Sequence, residues 1–124
     1  MVDVVCGIIF NKGKIFIARR IKGESTKGKW EFPGGKVEPN ETFQKALERE
    51  LLEEFCMYVK VNKLIGENTH SYPELNVRLI AFSCDFISGE FHLIDHDQYK
   101  WVYPNDLKNY NLAEADIPLL YLIN

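Results

Sequence analysis

Gly35-Lys36-Val37-Glu38-Pro39-Asn40-Glu41, seven further residues, then Arg49-Glu50-Leu51-Leu52-Glu53-Glu54 and Phe55-Cys56-Met57 form the most informative stretch of this 124-residue chain. From Thr42 onward the apolar residues Phe43, Ala46, Leu47, Leu51 and Phe55 recur every three or four positions. That period predicts an amphipathic helix over 42–55, with Thr42 or Asn40 as its N-cap. On that helix Glu50, Glu53 and Glu54 stand at i, i+3 and i+4, so their carboxylates share one side of two adjacent turns while Leu47, Leu51 and Phe55 turn to a core. Like charges at such spacings repel by roughly 0.2–0.5 kcal/mol per pair. A solvated acidic stripe absorbs that cost. A site for hard divalent cations uses it, because Mg²⁺ and Mn²⁺ take carboxylate oxygens and keep waters that a phosphate can replace.

Gly34-Gly35, just upstream, allows close backbone approach and backbone angles that side chains with Cβ avoid; taken alone it reads as a plain turn. The pattern as a whole is more specific. Six residues at fixed spacing (Gly35, Glu41, Arg49, Glu50, Glu53, Glu54) match by chance in far fewer than roughly one window per million.

Outward from this stretch, Val4–Phe10 and Ile15–Ala18 read as strands joined by an Asn11–Lys14 turn, and residues 20–29 as an exposed polar loop. Trp30-Glu31-Phe32 makes a short strand ended by Pro33. Downstream, 57–65, 76–86, 91–94 and 99–102 read as strands, with Ser88-Gly89 as a hairpin turn, and a short helix near 116–122 closes the chain, with Pro118 in its first turn. Strands outnumber helices, which predicts an α/β class fold of the α+β kind, a mixed sheet flanked by helices, in one domain over 1–124.

Composition narrows the function classes. With 46% hydrophobic and 27% charged residues, the chain can build a core without staples. Cys6, Cys56 and Cys84 are odd in number, widely spaced and without a CxxC pair, so neither a disulfide framework nor a zinc site is expected and a reducing cytoplasm fits best. No apolar run approaches a membrane span and no signal peptide is evident. The net charge of −3 argues against a nucleic-acid polymer as partner. Its distribution matters more: residues 12–29 carry +6 and residues 31–54 carry −4. A basic arm followed by an acidic block suits a polyphosphate with divalent cations, as it does two unrelated solvated faces.

The 35–57 string resembles the Nudix box, and Lys29–Lys36 is similar to the MutT-type branch of that superfamily. The likeness extends to the Gly7-Ile8-Ile9 strand, the Ala18-Arg19-Arg20 arm, the Asp95–Val102 segment and the Leu112–Pro118 tail. Two positions depart from the pattern. Cys56 stands where the box ends its helix on glycine, at a strain cost of about 1 kcal/mol if the left-handed cap is kept, and Asn40 stands where glycine is common.

The resemblance implies a Nudix fold and Mg²⁺-dependent hydrolysis (Mn²⁺ being the other candidate) of a nucleoside triphosphate to monophosphate and pyrophosphate. An 8-oxo-dGTP diphosphatase-like, pool-sanitising role leads, with (d)CTP or another nucleoside diphosphate derivative as alternatives. By position in the box, Glu50, Glu53, Glu54 and the Gly34 carbonyl bind metal, with Glu50 also handling the water. Asp95 either assists or is merely solvated, and His96 beside it reads as structural. Arg49 orients the site by pairing with Glu41 or Glu53, and Arg20 and Lys36 meet phosphate or nucleotide. Val4, Phe32, Tyr72, Leu79 and Asp116 line the base pocket; Asp116 reads the base or only caps the last helix. A ligand sensor without turnover is the other class, but it usually shows a broken box, and Arg49, Glu50, Glu53 and Glu54 are intact. With so little sequence after the last helix, no effector domain is expected. A monomer or homodimer is expected.

Overall fold

The structure, a computed structural model, describes residues 1–123. Its elements follow in the order β1 (Val2–Asn11), β2 (Lys14–Arg20), β3 (Trp30–Glu31), β4 (Gly34–Lys36), α1 (Phe43–Phe55), β5 (Met57–Tyr72), β6 (Leu75–Gly89) and β7 (His96–Val102), then 3₁₀ helices at Pro104–Asn109 and Ile117–Leu122. The seven strands form one mixed sheet in the order β3-β2-β1-β6-β5, with β4 on β1 and β7 on β2. Only β1 and β6 run parallel, from Val2↔Val77 to Phe10↔Asp85.

The β1–β2 hairpin pairs only at Phe10↔Ile15 and Asn11↔Lys14. Beyond that the two strands part: β1 pairs β4 at Val4–Cys6, and β2 pairs β3 and β7. Period-two alternation then divides the core into two layers. Val5, Ile9, Phe16 and Ala18 meet Ala46, Leu47, Leu51 and Phe55 of α1, while Cys6, Ile8, Ile15 and Ile17 meet Leu107, Leu112 and Leu119 on the other face.

Helix α1 lies within the expected bounds, and Thr42 caps it by accepting from the Lys45 amide at 3.2 Å. Cys56 ends it in the left-handed region at φ 53°, and Asn40 has φ 65°.

Four expectations change. Strand β5 continues past 65 to Tyr72 and pairs with all of β6 through the Tyr72–Leu75 turn, because Gly66 interrupts the alternation without ending the ladder. Ser88 and Gly89 are no hairpin turn; they pair with Tyr58 and Met57. Residues 91–94 form no strand; Phe91 and Leu93 pack against the α1-side core instead, so their apolar alternation reflects packing without a ladder partner. Strand β7 begins at His96 rather than at 99, because a bulge after Arg19 lets Arg20 pair with His96; the expected closing helix is present, as a 3₁₀ helix at Ile117–Leu122.

Candidate active site

The two glycines before α1 solve two different packing problems. A Cβ on Gly34 would overlap the Val5 carbonyl oxygen, and one on Gly35 would collide with the Glu50 carboxylate. Neither has positive φ, so space, not backbone conformation, demands glycine here. The pair presses β4 onto β1 and lets Glu50 lie against the strand.

Arg49 organises the acidic side chains. Its Nε and Nη2 donate to the two Glu41 oxygens at 2.6 and 3.0 Å, and Nη1 donates to Glu50 Oε1 at 2.9 Å and Glu53 Oε2 at 3.1 Å. Nη2 also reaches the Lys36 carbonyl at 3.1 Å, fixing α1 against β4. Arg49 therefore meets both expected partners, and Glu50 as well. Its guanidinium holds the Glu41 carboxyl down at about 2. Burial raises Glu50, opposed by its bond to Arg49.

Glu54 differs from its neighbours. Burial, reinforced by the facing Asp95 carboxylate, pushes it up to about 7. Its Oε2 is buried without a hydrogen-bond partner, and so is His96 Nδ1, 3.9 Å away. The other ring nitrogen of His96 lies 2.7 Å from Glu31 Oε2, which pairs with Arg20 Nη1 at 3.1 Å. Asp95 is held low by Lys22, whose Nζ is 2.8 Å from Oδ1. Glu53 turns outward, its side chain 60% exposed, toward Arg49. Among the described residues no three His, Cys, Asp or Glu side chains already converge as a closed metal cage. The orphaned Glu54 oxygen, the Glu50 carboxylate seated on Gly35 and the all-oxygen donor set nonetheless fit a hard divalent cation.

A cleft of about 340 Å³ opens beside this cluster. Val4, Phe32, Tyr72, Leu79 and Asp116 all line it, together with Arg20, Gly34, Gly35 and Lys36. One cavity thus gathers every residue assigned to base and phosphate. Its apolar end is walled by Phe32, Tyr72 and Leu79, and its glycine end meets Glu50. Lys36 is exposed and makes no ion pair among the described residues, whereas Arg20 is engaged by Glu31 and by the Lys22 carbonyl. Asp116 makes no capping bond; its Oδ2 accepts from the Phe32 amide at 2.9 Å. Burial, then the nearby Glu31, raises its carboxyl well above the ordinary range.

Glu31 is the site residue that the sequence reading missed. Its position between buried Trp30 and Phe32 in a strand was the available signal, since alternation sets it on the opposite side from both. His96 is buried, as a structural residue would be, yet it bridges Glu31 to the glutamate cluster.

A NUDIX domain profile matches residues 4–122. The chain belongs to the Nudix hydrolase family. It is 37% identical to a CTP pyrophosphohydrolase of Escherichia coli K12 over 97% of this chain and 89% of that one. It is 31% identical to an 8-oxo-dGTP diphosphatase of Buchnera aphidicola subsp. Schizaphis graminum over 96% and 90%. The solution structure of the E. coli ORF135 protein superposes with a TM-score of 0.86 at 36% identity, covering 98% of this chain and 87% of that one. Nudix hydrolases are enzymes that generally use divalent metal ions, and the mixed sheet with flanking helices is the fold of these neighbours. No helix of this Nudix chain is long and apolar enough to cross a membrane among the described residues.

Proposed function

We propose that this Nudix hydrolase, one catalytic domain over 1–124, converts a nucleoside triphosphate and water to a nucleoside monophosphate and pyrophosphate with Mg²⁺, Mn²⁺ substituting. The observation that carries this reading is one cleft with an apolar end walled by Phe32, Tyr72 and Leu79 and a glycine end at Gly34-Gly35, where the Glu50 carboxylate lies against Gly35. Glu50 and Glu54, with the Gly34 carbonyl, would hold the metal, and Glu53 and Asp95 complete the set. A cation held there would supply neutralisation of charge on the polyphosphate.

The chain's own residues do the rest. Arg49 fixes the Glu50 carboxylate through one oxygen, leaving the other to orient a water and take its proton. The water oxygen attacks the β-phosphorus, and the bond from that phosphorus to the α–β bridging oxygen breaks. Lys36, whose ammonium makes no ion pair among the described residues, receives phosphate, and Arg20 does so on exchanging Glu31 for the nucleotide.

The base stacks among Phe32, Tyr72 and Leu79, with Val4 behind. Asp116 reads its polar edge. An ionised aspartate only accepts; burial raises this carboxyl well above the ordinary range, which favours the neutral form, and a neutral carboxyl donates and accepts as an asparagine does. That pattern suits an oxidised purine such as 8-oxo-dGTP. A (d)CTP substrate is the second reading, favoured by the 37% identity to the E. coli CTP pyrophosphohydrolase. The protein works in the cytoplasm as a monomer or homodimer, without a nucleic-acid polymer.

Hydrolysis of a panel of oxidised and normal nucleoside triphosphates, with products separated by chromatography, tests the proposal. Monophosphate and pyrophosphate in equal amounts are expected. In ¹⁸O-water the label should enter pyrophosphate; label confined to the monophosphate would refute attack at the β-phosphorus.

A further inference from the structure

The loop at 20–29 is charged and mostly exposed, yet it is tied at both flanks. At its root the Ile21 amide donates to the Asp95 carbonyl at 3.1 Å, and Lys22 pairs with the Asp95 carboxylate. At its tip the Ser25 hydroxyl and amide both donate to Glu74, at 2.7 and 3.2 Å. Glu74 sits in the β5–β6 turn, far away in sequence, so this bond joins two loops that share no strand pairing.

The cleft lies between those loops. Gly23, Glu24 and Thr26 line one wall, and Tyr72, Glu74 and Leu75 line the opposite one. The Ser25–Glu74 contact links those two loops beside Tyr72, at the apolar end of the cleft. Gly23 and Gly28 bracket the tip with φ of 110° and 80°, and the loop folds on itself through Lys27 amide to Gly23 carbonyl and Gly28 amide to Arg20 carbonyl bonds. The tip is therefore a preformed turn between two glycine pivots, held down by hydrogen bonds to one exposed carboxylate.

We propose that Ser25 and Glu74 form a catch that closes the base end of the cleft, making them positioning residues that set how firmly the nucleoside is held and how well bases are told apart. Neither touches the reacting phosphates. With the catch shut, the walls carrying Thr26 and Tyr72 stay in register around the ring; with it open, the turn pivots away and nucleotide enters or leaves. The inference rests on the nucleotide reading of the cleft.

Ser25→Ala, Glu74→Ala and the double variant, assayed with Mg²⁺ and the preferred triphosphate, test it. Each single variant should raise KM about three- to tenfold, the range for losing an ordinary net hydrogen bond, since solvent screens the charge of an exposed carboxylate, with kcat unchanged or higher. The double variant should be no worse than Glu74→Ala, because both changes remove one shared contact. The ratio of kcat/KM between good and poor bases should shrink in all three. Unchanged KM and unchanged base ranking would overturn the catch, and so would additive effects in the double variant. Should the wild-type protein hydrolyse no nucleoside triphosphate, the nucleotide reading fails, and the catch is then judged by trypsin. Faster cleavage after Lys22 and Lys27 in the variants upholds it as a loop tether, and equal cleavage overturns it.

Discussion

Glu50, Arg49 and Asp116 show how far a single side chain's role depends on its surroundings. Glu50→Gln keeps size and hydrogen bonding to Arg49 but loses the proton acceptor, so kcat should fall by several orders of magnitude while the thermal midpoint stays near wild type. Near-normal turnover of this variant with Mg²⁺ would remove Glu50 from the mechanism. Asp116→Asn should keep base selectivity, since the amide reproduces a neutral carboxyl's donor and acceptor. Asp116→Ala should lose about 1–3 kcal/mol of discrimination between bases, the cost of leaving a buried polar group unpaired. Equal selectivity across wild type, Asn and Ala variants would leave Asp116 as no more than the anchor of the Phe32 amide. The stripe of Glu50, Glu53 and Glu54 was legible because helical spacing aligns it, whereas the role of Arg49 came only with the resemblance to the Nudix box. The upward shift of the Asp116 carboxyl was not legible, since it depends on burial and on Glu31, remote in the chain. Nor was the outward turn of Glu53, which its pairing with Arg49 decides.

At the scale of elements, α1 was readable to within a residue because its apolar period and its N-cap coincide. Strands β5 and β6 were shortened in the sequence reading because bulges at Tyr58/Val59 and between Val61 and Gly66 break the period-two pattern while the ladder continues. Cys56 takes the left-handed conformation that glycine adopts freely, and its side chain is exposed. Cys56→Gly should therefore stabilise the protein by up to about 1 kcal/mol in urea or thermal unfolding. A loss of stability would mean that the Cys56 side chain makes packing contacts worth more than the relieved strain. Gly34→Ala should act in the opposite direction, destabilising by about 1–3 kcal/mol, because the new methyl meets backbone that cannot step aside.

For the molecule as a whole, the buried carboxyls make stability depend on pH and on metal. A carboxyl raised in the folded state holds its proton more tightly there than in the unfolded chain. Its contribution to stability is then complete below the unfolded value and is lost as pH rises through the folded one. For Glu54 the window runs from the ordinary 4.5 to about 7. In a chelator, the thermal midpoint should decline across that window, and Glu54→Gln should flatten the decline. Mg²⁺ should restore the midpoint at neutral pH by occupying the charged site; a midpoint indifferent to Mg²⁺ would separate Glu54 from metal binding. The parallel pairing of β1 with β6 bears on how the chain reaches this state. Val2 cannot find Val77 until most of the polypeptide has been synthesised, and closing so long a loop is entropically slow. Meanwhile the hairpin with β2 covers only the Phe10–Asn11 end of β1, leaving Val4–Ile9 as an apolar edge on the nascent chain. During synthesis, that edge is where misassociation with a neighbouring copy would begin, and where a chaperone would be expected to bind first.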